Sequence, residues 1–142
     1  MKVRDIMTSH VSASNANASI DEIARKMKEL NVGSIPICDN QNHVIGIVTD
    51  RDIVVRGIVD GFRVSDNIEK VMSKELIFVS PDTHTHEAAR IMAQNQIRRL
   101  PVVENGKLVG LVAIGDLAVR NIYVDDAGKA LSDISLPSRP MM

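Results

Sequence analysis

Gly46-Ile47-Val48-Thr49-Asp50-Arg51-Asp52 is answered further along the chain by Gly110-Leu111-Val112-Ala113-Ile114-Gly115-Asp116, at an offset of 64 residues (110−46, 116−52). Upstream, Met7, Met27 and Pro36 recur as Met72, Met92 and Pro101, at an offset of 65 (72−7, 92−27, 101−36). The single-residue drift falls where Asp39-Asn40-Gln41-Asn42 becomes Glu104-Asn105-Gly106. Turns tolerate such losses, so the pattern marks two copies of one supersecondary unit. A tandem pair has an internal pseudo-dyad, and the cleft between the copies is the natural place for a ligand.

Both copies follow one order. A short helical turn comes first, Val3 to Met7 and Ile68 to Met72, followed by an extended segment, Val11-Ser12-Ala13 and Leu76-Ile77-Phe78-Val79. A helix then opens at Ser19, with Glu22 spaced as a capping box, and Ile20, Ile23, Ala24, Met27 and Leu30 recur on its apolar face. The second copy offers Thr85, Ala88, Ala89, Ile91 and Met92 over the same stretch. Two strands follow, Ser34 to Cys38 with Val44 to Thr49, and Arg99 to Val103 with Leu108 to Ala113. Proline near a strand start removes only one ladder donor, and Asn105-Gly106 is a strong hairpin signal. A last helix runs through Ile53-Val54-Val55 and Leu117-Ala118-Val119.

The fold class predicted is therefore α+β, with tandem pseudo-twofold β-α-β-β-α repeats. We divide the chain into repeat 1 at residues 1–61, a linker at 62–67, repeat 2 at 68–124 and a C-terminal extension at 125–142. In the extension, Ala127 to Ile134 reads as a short helix and Pro137-Ser138-Arg139-Pro140 as a loose end. Each copy is near the size, about 60 residues, at which independent stability is marginal, so pairing of the copies is expected.

Composition excludes several functions. Apolar residues make up 44% of the chain, but Phe62, Phe78 and Tyr123 are its only aromatics, so the core is aliphatic and stacking platforms for single-stranded nucleic acid are lacking. Seventeen basic residues against 18 acidic ones give a net charge of −1 without long runs of either sign, which speaks against nucleic acid and anionic membranes. No apolar stretch approaches the roughly 18 residues of a membrane span. The single cysteine, Cys38, cannot form an internal disulfide, and no secretory leader is evident at Met1-Lys2-Val3-Arg4-Asp5. A cytoplasmic location is the expectation.

Chemistry concentrates at the strand-to-helix junctions. Thr49 and Asp52 are three apart at a helix start, where they face each other across the first turn. One reading is capping, with Thr49 as N-cap and the Asp52 carboxylate at the positive end of the helix dipole. The other is ligand binding: a carboxylate fixed there can accept from both ribose hydroxyls, and a hydroxyl beside unpaired amides suits a phosphate. The second copy keeps the acid as Asp116 but has Ala113 in place of Thr49. Arg98-Arg99, opposite Gly33-Ser34 in the first copy, makes the positive charge one-sided. Such a pair follows a helix C-terminus, where cations are favoured, and is also a good phosphate clamp.

Other residues read as structural. His84 and His86 in Thr83-His84-Thr85-His86 point apart on a helix and lack a third ligand, so no metal site is expected. His10 and His43 lie in predicted loops, Cys38 is a small core residue, and Met7, Met27, Met72 and Met92 fill the core. There is no nucleophile elbow, Walker loop or dinucleotide fingerprint, so the chain is not expected to be an enzyme.

Taken together, the Met7-Thr8 and Met72-Ser73 openings, the Ile35-Pro36-Ile37 and Leu100-Pro101-Val102 strands and the two Gly…Asp junctions resemble the CBS domain family, whose tandem copies form a Bateman module. The likeness covers residues 3–124. It implies an adenosine ligand (AMP, ADP, ATP, S-adenosylmethionine or cyclic di-AMP) in the clefts between copies. In the family the Thr/Ser-x-x-Asp element holds phosphate and ribose. In one member a His-Arg pair before the proline strand of the other copy contacts phosphate, and Arg98 and Arg99 fall at that place. One complete site would combine Thr49, Asp52, Arg98 and Arg99, with Leu76 and Ile77 lining the base pocket. The second, with Asp116 but no hydroxyl at 113, would be weak or empty. Stand-alone modules of this kind pair into a flat homodimer.

The expected function is thus a non-enzymatic sensor of an adenine nucleotide, acting on an unidentified protein target. The competing readings are a structural or interaction module without a nucleotide, a sensor of cyclic di-AMP or S-adenosylmethionine, and a DNA-binding regulator, which the near-neutral charge disfavours.

Overall fold

The computed structural model describes residues 1–118 and 124–136. Expectations touching Val119, Tyr123 and the Pro137-Ser138-Arg139-Pro140 end lie outside those residues. The chain forms two compact units. The first comprises Ser12–Leu76 with Gly106–Leu108, and the second Met1–Val11, Ile77–Asn105 and the chain from Val109 on. Among the described residues no helix is long and apolar enough to cross a membrane.

In the first unit, α1 (Ile20–Leu30) starts because Ser19 is held extended and its Oγ accepts a hydrogen bond from the Glu22 amide at 3.1 Å. That bond contributes about 1 kcal/mol. The predicted box is half made, since the Glu22 side chain does not return a bond to Ser19. Asn31, left-handed at φ 54°, ends the helix, and Val32 donates back to the Met27 carbonyl at 3.0 Å. Ile20, Ile23 and Met27 are buried as expected. Ala24 and Leu30 are not: both are exposed, Leu30 at 47%. The apolar stripe is narrower than its spacing implied because nothing in this unit covers its outer edge.

Strands β1 (Ser34–Cys38) and β2 (Val44–Thr49) form an antiparallel hairpin in which Ser34 opposes Thr49 and Ile37 opposes Gly46. Every residue of β1 after Ser34 is buried, while β2 alternates, turning Gly46 and Val48 inward. Burial pushes the Cys38 thiol pKa up, with the Asp39 carboxylate adding to it. The expected leading strand is reduced to one parallel bridge, Ser14 with Ile37, made by Ser14 N–H to the Pro36 carbonyl and Cys38 N–H to the Ser14 carbonyl. Pro36 has no amide to offer, which limits how far such a ladder can extend.

Helix α2 (Asp50–Asp52) runs on into a π-helix (Ile53–Ile58), where Val59 N–H reaches the Val54 carbonyl and Phe62 N–H the Gly57 carbonyl, five residues back. Gly57 is buried there, against Val71 and Ile20. The predicted linker folds back onto α1, with Ile20 N–H donating to the Asp66 carbonyl and Asp21 N–H to that of Val64.

The second unit repeats the plan. Helix α3 (Thr85–Asn95) buries Thr85, Ala88, Ala89 and Met92, with Ile91 half-buried. Strands β3 (Arg99–Glu104) and β4 (Lys107–Ala113) pair in a hairpin. Its two-residue turn has positive φ at both Asn105 (53°) and Gly106 (79°), the geometry that the Asn-Gly signal demands. The leading strand is again one parallel bridge, Val79 with Val102. Helix α4 (Ile114–Ala118) follows β4. The extension helix, α5 (Val124–Ser135), is longer than the 127–134 expected. It buries Ala127 and Ala130 against α3 and α4, and Asp126 Oδ1 meets His86 Nδ1 at 2.9 Å.

Each unit also contains the opening segment of the other copy. Val3 and Ile6 belong to the core around Met92, Leu100 and Val112, while Ile68, Val71 and Met72 belong to the core around Ile23, Ile35 and Val48. The docking is the same in both: Thr8 exchanges two backbone hydrogen bonds with Leu111, and Ser73 exchanges two with Ile47. This explains why glycine recurs in the Gly…Asp stretch. A Cβ on Gly46 would lie 2.8 Å from the Ser73 carbonyl oxygen and 2.9 Å from Met72 Sδ. One on Gly110 would lie 2.9 Å from the Thr8 carbonyl oxygen and 2.7 Å from Met7 Sδ.

Candidate functional site

The junction of β2 and α2 makes both bonds of a capping box. Thr49 Oγ1 accepts from the Asp52 amide at 3.1 Å, and Asp52 Oδ2 accepts from the Thr49 amide at 2.9 Å. The local sequence dictates this, because Thr and Asp three apart satisfy two amides that a helix start leaves unpaired. Asp52 is not thereby exhausted. Its second oxygen, Oδ1, faces Arg56 Nε at 3.9 Å, one turn along, and the Thr49 hydroxyl proton is not engaged in the box. Both side chains are half-buried, so the junction presents an ordered hydroxyl and carboxylate beside a cation.

Arg56 was not singled out from the sequence. It anchors through Nη1 to the Val71 carbonyl at 3.4 Å while facing Asp52. The signal was the i, i+4 spacing of acid and base on one helix face, which reads equally well as an ordinary surface pair.

The corresponding junction of the second unit is weaker. Asp116 Oδ2 accepts from the Ala113 amide at 2.7 Å, but Ala113 has no oxygen to return the bond. Arg98 and Arg99 enter β3 in this unit; Arg98 is exposed, Arg99 half-buried, and neither forms an ion pair among the described residues. Ile77 is half-buried against the core of the second unit, and Leu76, half-buried, ends the first. Of the predicted residues, then, Thr49, Asp52 and Leu76 belong to the first unit, and Ile77, Arg98, Arg99 and Asp116 to the second.

The entry to the first strand differs between units in charge as well as size. In the second, Ile114 N–H donates to the Arg98 carbonyl at 2.8 Å; in the first, Asp50 N–H donates to the Gly33 carbonyl at 3.0 Å. The same backbone bond thus brackets a guanidinium in one unit and a carboxylate in the other, with Asp50 Oδ2 lying 3.2 Å from where a Gly33 Cβ would stand. Ser34, the counterpart of Arg99, has a buried Oγ with no hydrogen-bond partner.

A groove of about 430 Å³ runs between α3 and α5, lined among others by His86, Arg90, Gln94, Asp126, Lys129 and Asp133. It contains none of the predicted site residues. Among the described residues no three or more His, Cys, Asp or Glu side chains converge as metal ligands.

Two exchanged openings, two hairpins and two capped junctions define a tandem CBS architecture. The CBS domain family matches residues 3–57 and again 66–121, and the chain belongs to that family. It is similar to the CBS domain-containing protein YhcV of Bacillus subtilis, 44% identical over 133 residues and covering 94% of each chain. In structure it is similar to Hypoxic Response Protein I, solved with two coordinated zinc ions, at a TM-score of 0.78 and 29% identity over 83% of this chain and 97% of that one. It is also similar to the CBS domain pair of protein MJ0100, solved with 5′-methylthioadenosine and S-adenosyl-L-methionine, at a TM-score of 0.74 and 27% identity over 83% and 93% of the two chains.

Proposed function

We propose that this CBS pair is a non-catalytic regulatory module, cytoplasmic and homodimeric, that binds an adenine nucleotide (AMP, ADP or ATP). In this reading Asp52 accepts from the ribose hydroxyls, Thr49 donates to phosphate, and Arg98 and Arg99 clamp the phosphates, with Leu76 and Ile77 against the base. The observation that carries it is the unequal pair of junctions: Thr49 completes a box that Ala113 cannot. Arg98 and Arg99, in no ion pair among the described residues, supply the positive charge a phosphate needs. Asp116, beside Ala113, then belongs to a weaker second site. The adenosine ligands of the MJ0100 pair support the ligand class. Signalling requires that the nucleotide bind two states of the protein with different affinity, so that occupancy shifts their populations.

Titration calorimetry with AMP, ADP, ATP, cyclic di-AMP and S-adenosylmethionine tests this. One of the three nucleotides should bind below millimolar and more tightly than the last two ligands. Losing charge-assisted hydrogen bonds should cost Arg99→Ala about ten- to a hundredfold in affinity. Asp52→Ala should lose a similar amount while its melting temperature reports the separate cost of the broken cap. Unchanged affinity in both variants, or no nucleotide binding below millimolar, overturns the reading. The capping box favours one rival, a structural module in which Thr49 and Asp52 serve only each other. That rival predicts loss of stability in Asp52→Ala with no nucleotide bound by the native chain.

A further inference from the structure

The two strand entries carry opposite charges. Asp50 N–H donates to the Gly33 carbonyl as Ile114 N–H donates to that of Arg98, so a carboxylate stands in the first unit where the second has isoleucine. Asp50 Oδ2 lies 3.2 Å from where a Gly33 Cβ would stand, which sets its charge directly beside the backbone of that entry. Asp50 is exposed and forms no ion pair among the described residues. Where the second unit offers two guanidiniums, the first therefore offers a carboxylate.

The proposed nucleotide site joins the junction of one copy to the strand entry of the other. The repeat applies the same rule to the weaker site, which pairs Asp116 with Gly33 and Ser34. That site keeps the acid assigned to ribose and lacks every group assigned to phosphate: Ala113 replaces Thr49, Gly33 replaces Arg98 and Ser34 replaces Arg99. Losing those donors only weakens the hold on a phosphate. A carboxylate at the place of the clamp opposes it, and specificity is built as much from such repulsion as from attraction.

We propose that Asp50 is a specificity-determining residue: it bars phosphate from the Gly33-Ser34 entry and leaves the second site to an adenine nucleoside without a negatively charged 5′ group. This rests on the reading of Thr49, Asp52, Arg98 and Arg99 as a nucleotide site and gives its weaker counterpart a different ligand class. A phosphate at the entry is set against the Asp50 charge, and like charges in juxtaposition oppose binding strongly. A nucleoside meets no such penalty, and its 5′-hydroxyl is a donor of the kind a carboxylate accepts. One chain then holds a phosphorylated and an unphosphorylated adenosine at separate places.

Titration calorimetry of the full chain with AMP and with adenosine tests this through the number of equivalents bound. The native chain should take one equivalent of AMP below millimolar and two of adenosine, and Asp116→Ala should remove one of the two adenosine equivalents. Asp50→Asn keeps an oxygen for the Arg51 amide, which Asp50 Oδ1 accepts at 2.8 Å. It should tighten the second AMP equivalent at least about tenfold, and Asp50→Lys about tenfold further, as the like charge is removed and then reversed. Neither variant should tighten adenosine. The rival role of Asp50, a carboxylate favoured at a helix start, predicts a lower melting temperature in both variants with the AMP stoichiometry unchanged. A native chain that binds two AMP equally, or no second adenosine, overturns this proposal alone. An unchanged AMP stoichiometry in Asp50→Lys overturns the assignment to Asp50. A native chain that binds no AMP overturns the nucleotide reading as well.

Discussion

Asp52 has two carboxylate oxygens, and the use of each is visible. One closes the cap on Thr49, and the other faces Arg56. The cap was legible from sequence because its geometry is local: two residue types three apart at a helix start suffice to predict it. Arg56 was not, because its role depends on reaching Val71, fifteen residues along the chain, as well as its own helix. The repeat allows a mirrored prediction. Thr49→Ala should destabilise the protein by about 1 kcal/mol and Thr49→Ser by almost nothing, whereas Ala113→Thr should add up to about 1 kcal/mol by completing the half-made box at Asp116. Urea unfolding of the three variants checks this, and equal effects at 49 and 113 would count against capping as the source of the asymmetry.

Among the elements, hairpins and helices were largely legible, since hydrophobic period and turn chemistry agree along them. The Asn105-Gly106 turn and the 85–95 helix are examples. The leading strands were not, because whether an extended segment becomes a strand depends on partners elsewhere, and Pro36 and Pro101 withhold donors there. Exposure of Ala24 and Leu30 was likewise beyond periodicity, which reports that a face is apolar and not whether anything lies upon it. The recurrence of glycine at 46 and 110 was plain in the sequence, but its cause was not. Gly46→Ala would drive a methyl to 2.8 Å from the backbone oxygen of Ser73, an atom that cannot rotate away. The expected cost is about 1–3 kcal/mol, read as a lower midpoint in denaturant, and a neutral substitution would mean that the opening segment docks more loosely than described.

On the scale of the whole chain, duplication predicts two alike halves, yet the compact units do not follow the copies. Residues 1–11 serve the second unit, through Val3, Ile6 and the paired bonds of Thr8 and Leu111. Deleting residues 1–8 removes two buried aliphatic side chains, each worth about 1.5–3 kcal/mol, out of a typical domain total of about 5–15 kcal/mol. Hydrogen exchange should then show protection lost from α3 and β4 while α1 and β2 keep theirs. Uniform loss across both units would show that they unfold together. Local patterns could reveal the repeat and its unequal junctions, but an exchanged segment leaves no mark in either copy's own periodicity.

That exchange also gives the chain an order in time. Ile47 waits 26 residues for Ser73 (73−47), whereas Thr8 waits 103 for Leu111 (111−8). On a ribosome making about 5–20 residues per second, the first unit has nearly all its parts while the opening segment still has nothing to bind. Val3 and Ile6 are thus made before the hairpin residues Leu100, Val102 and Val112 that share their core. The two bonds at Thr8 can close only once Leu111 has been made, long after Ile47 can pair with Ser73.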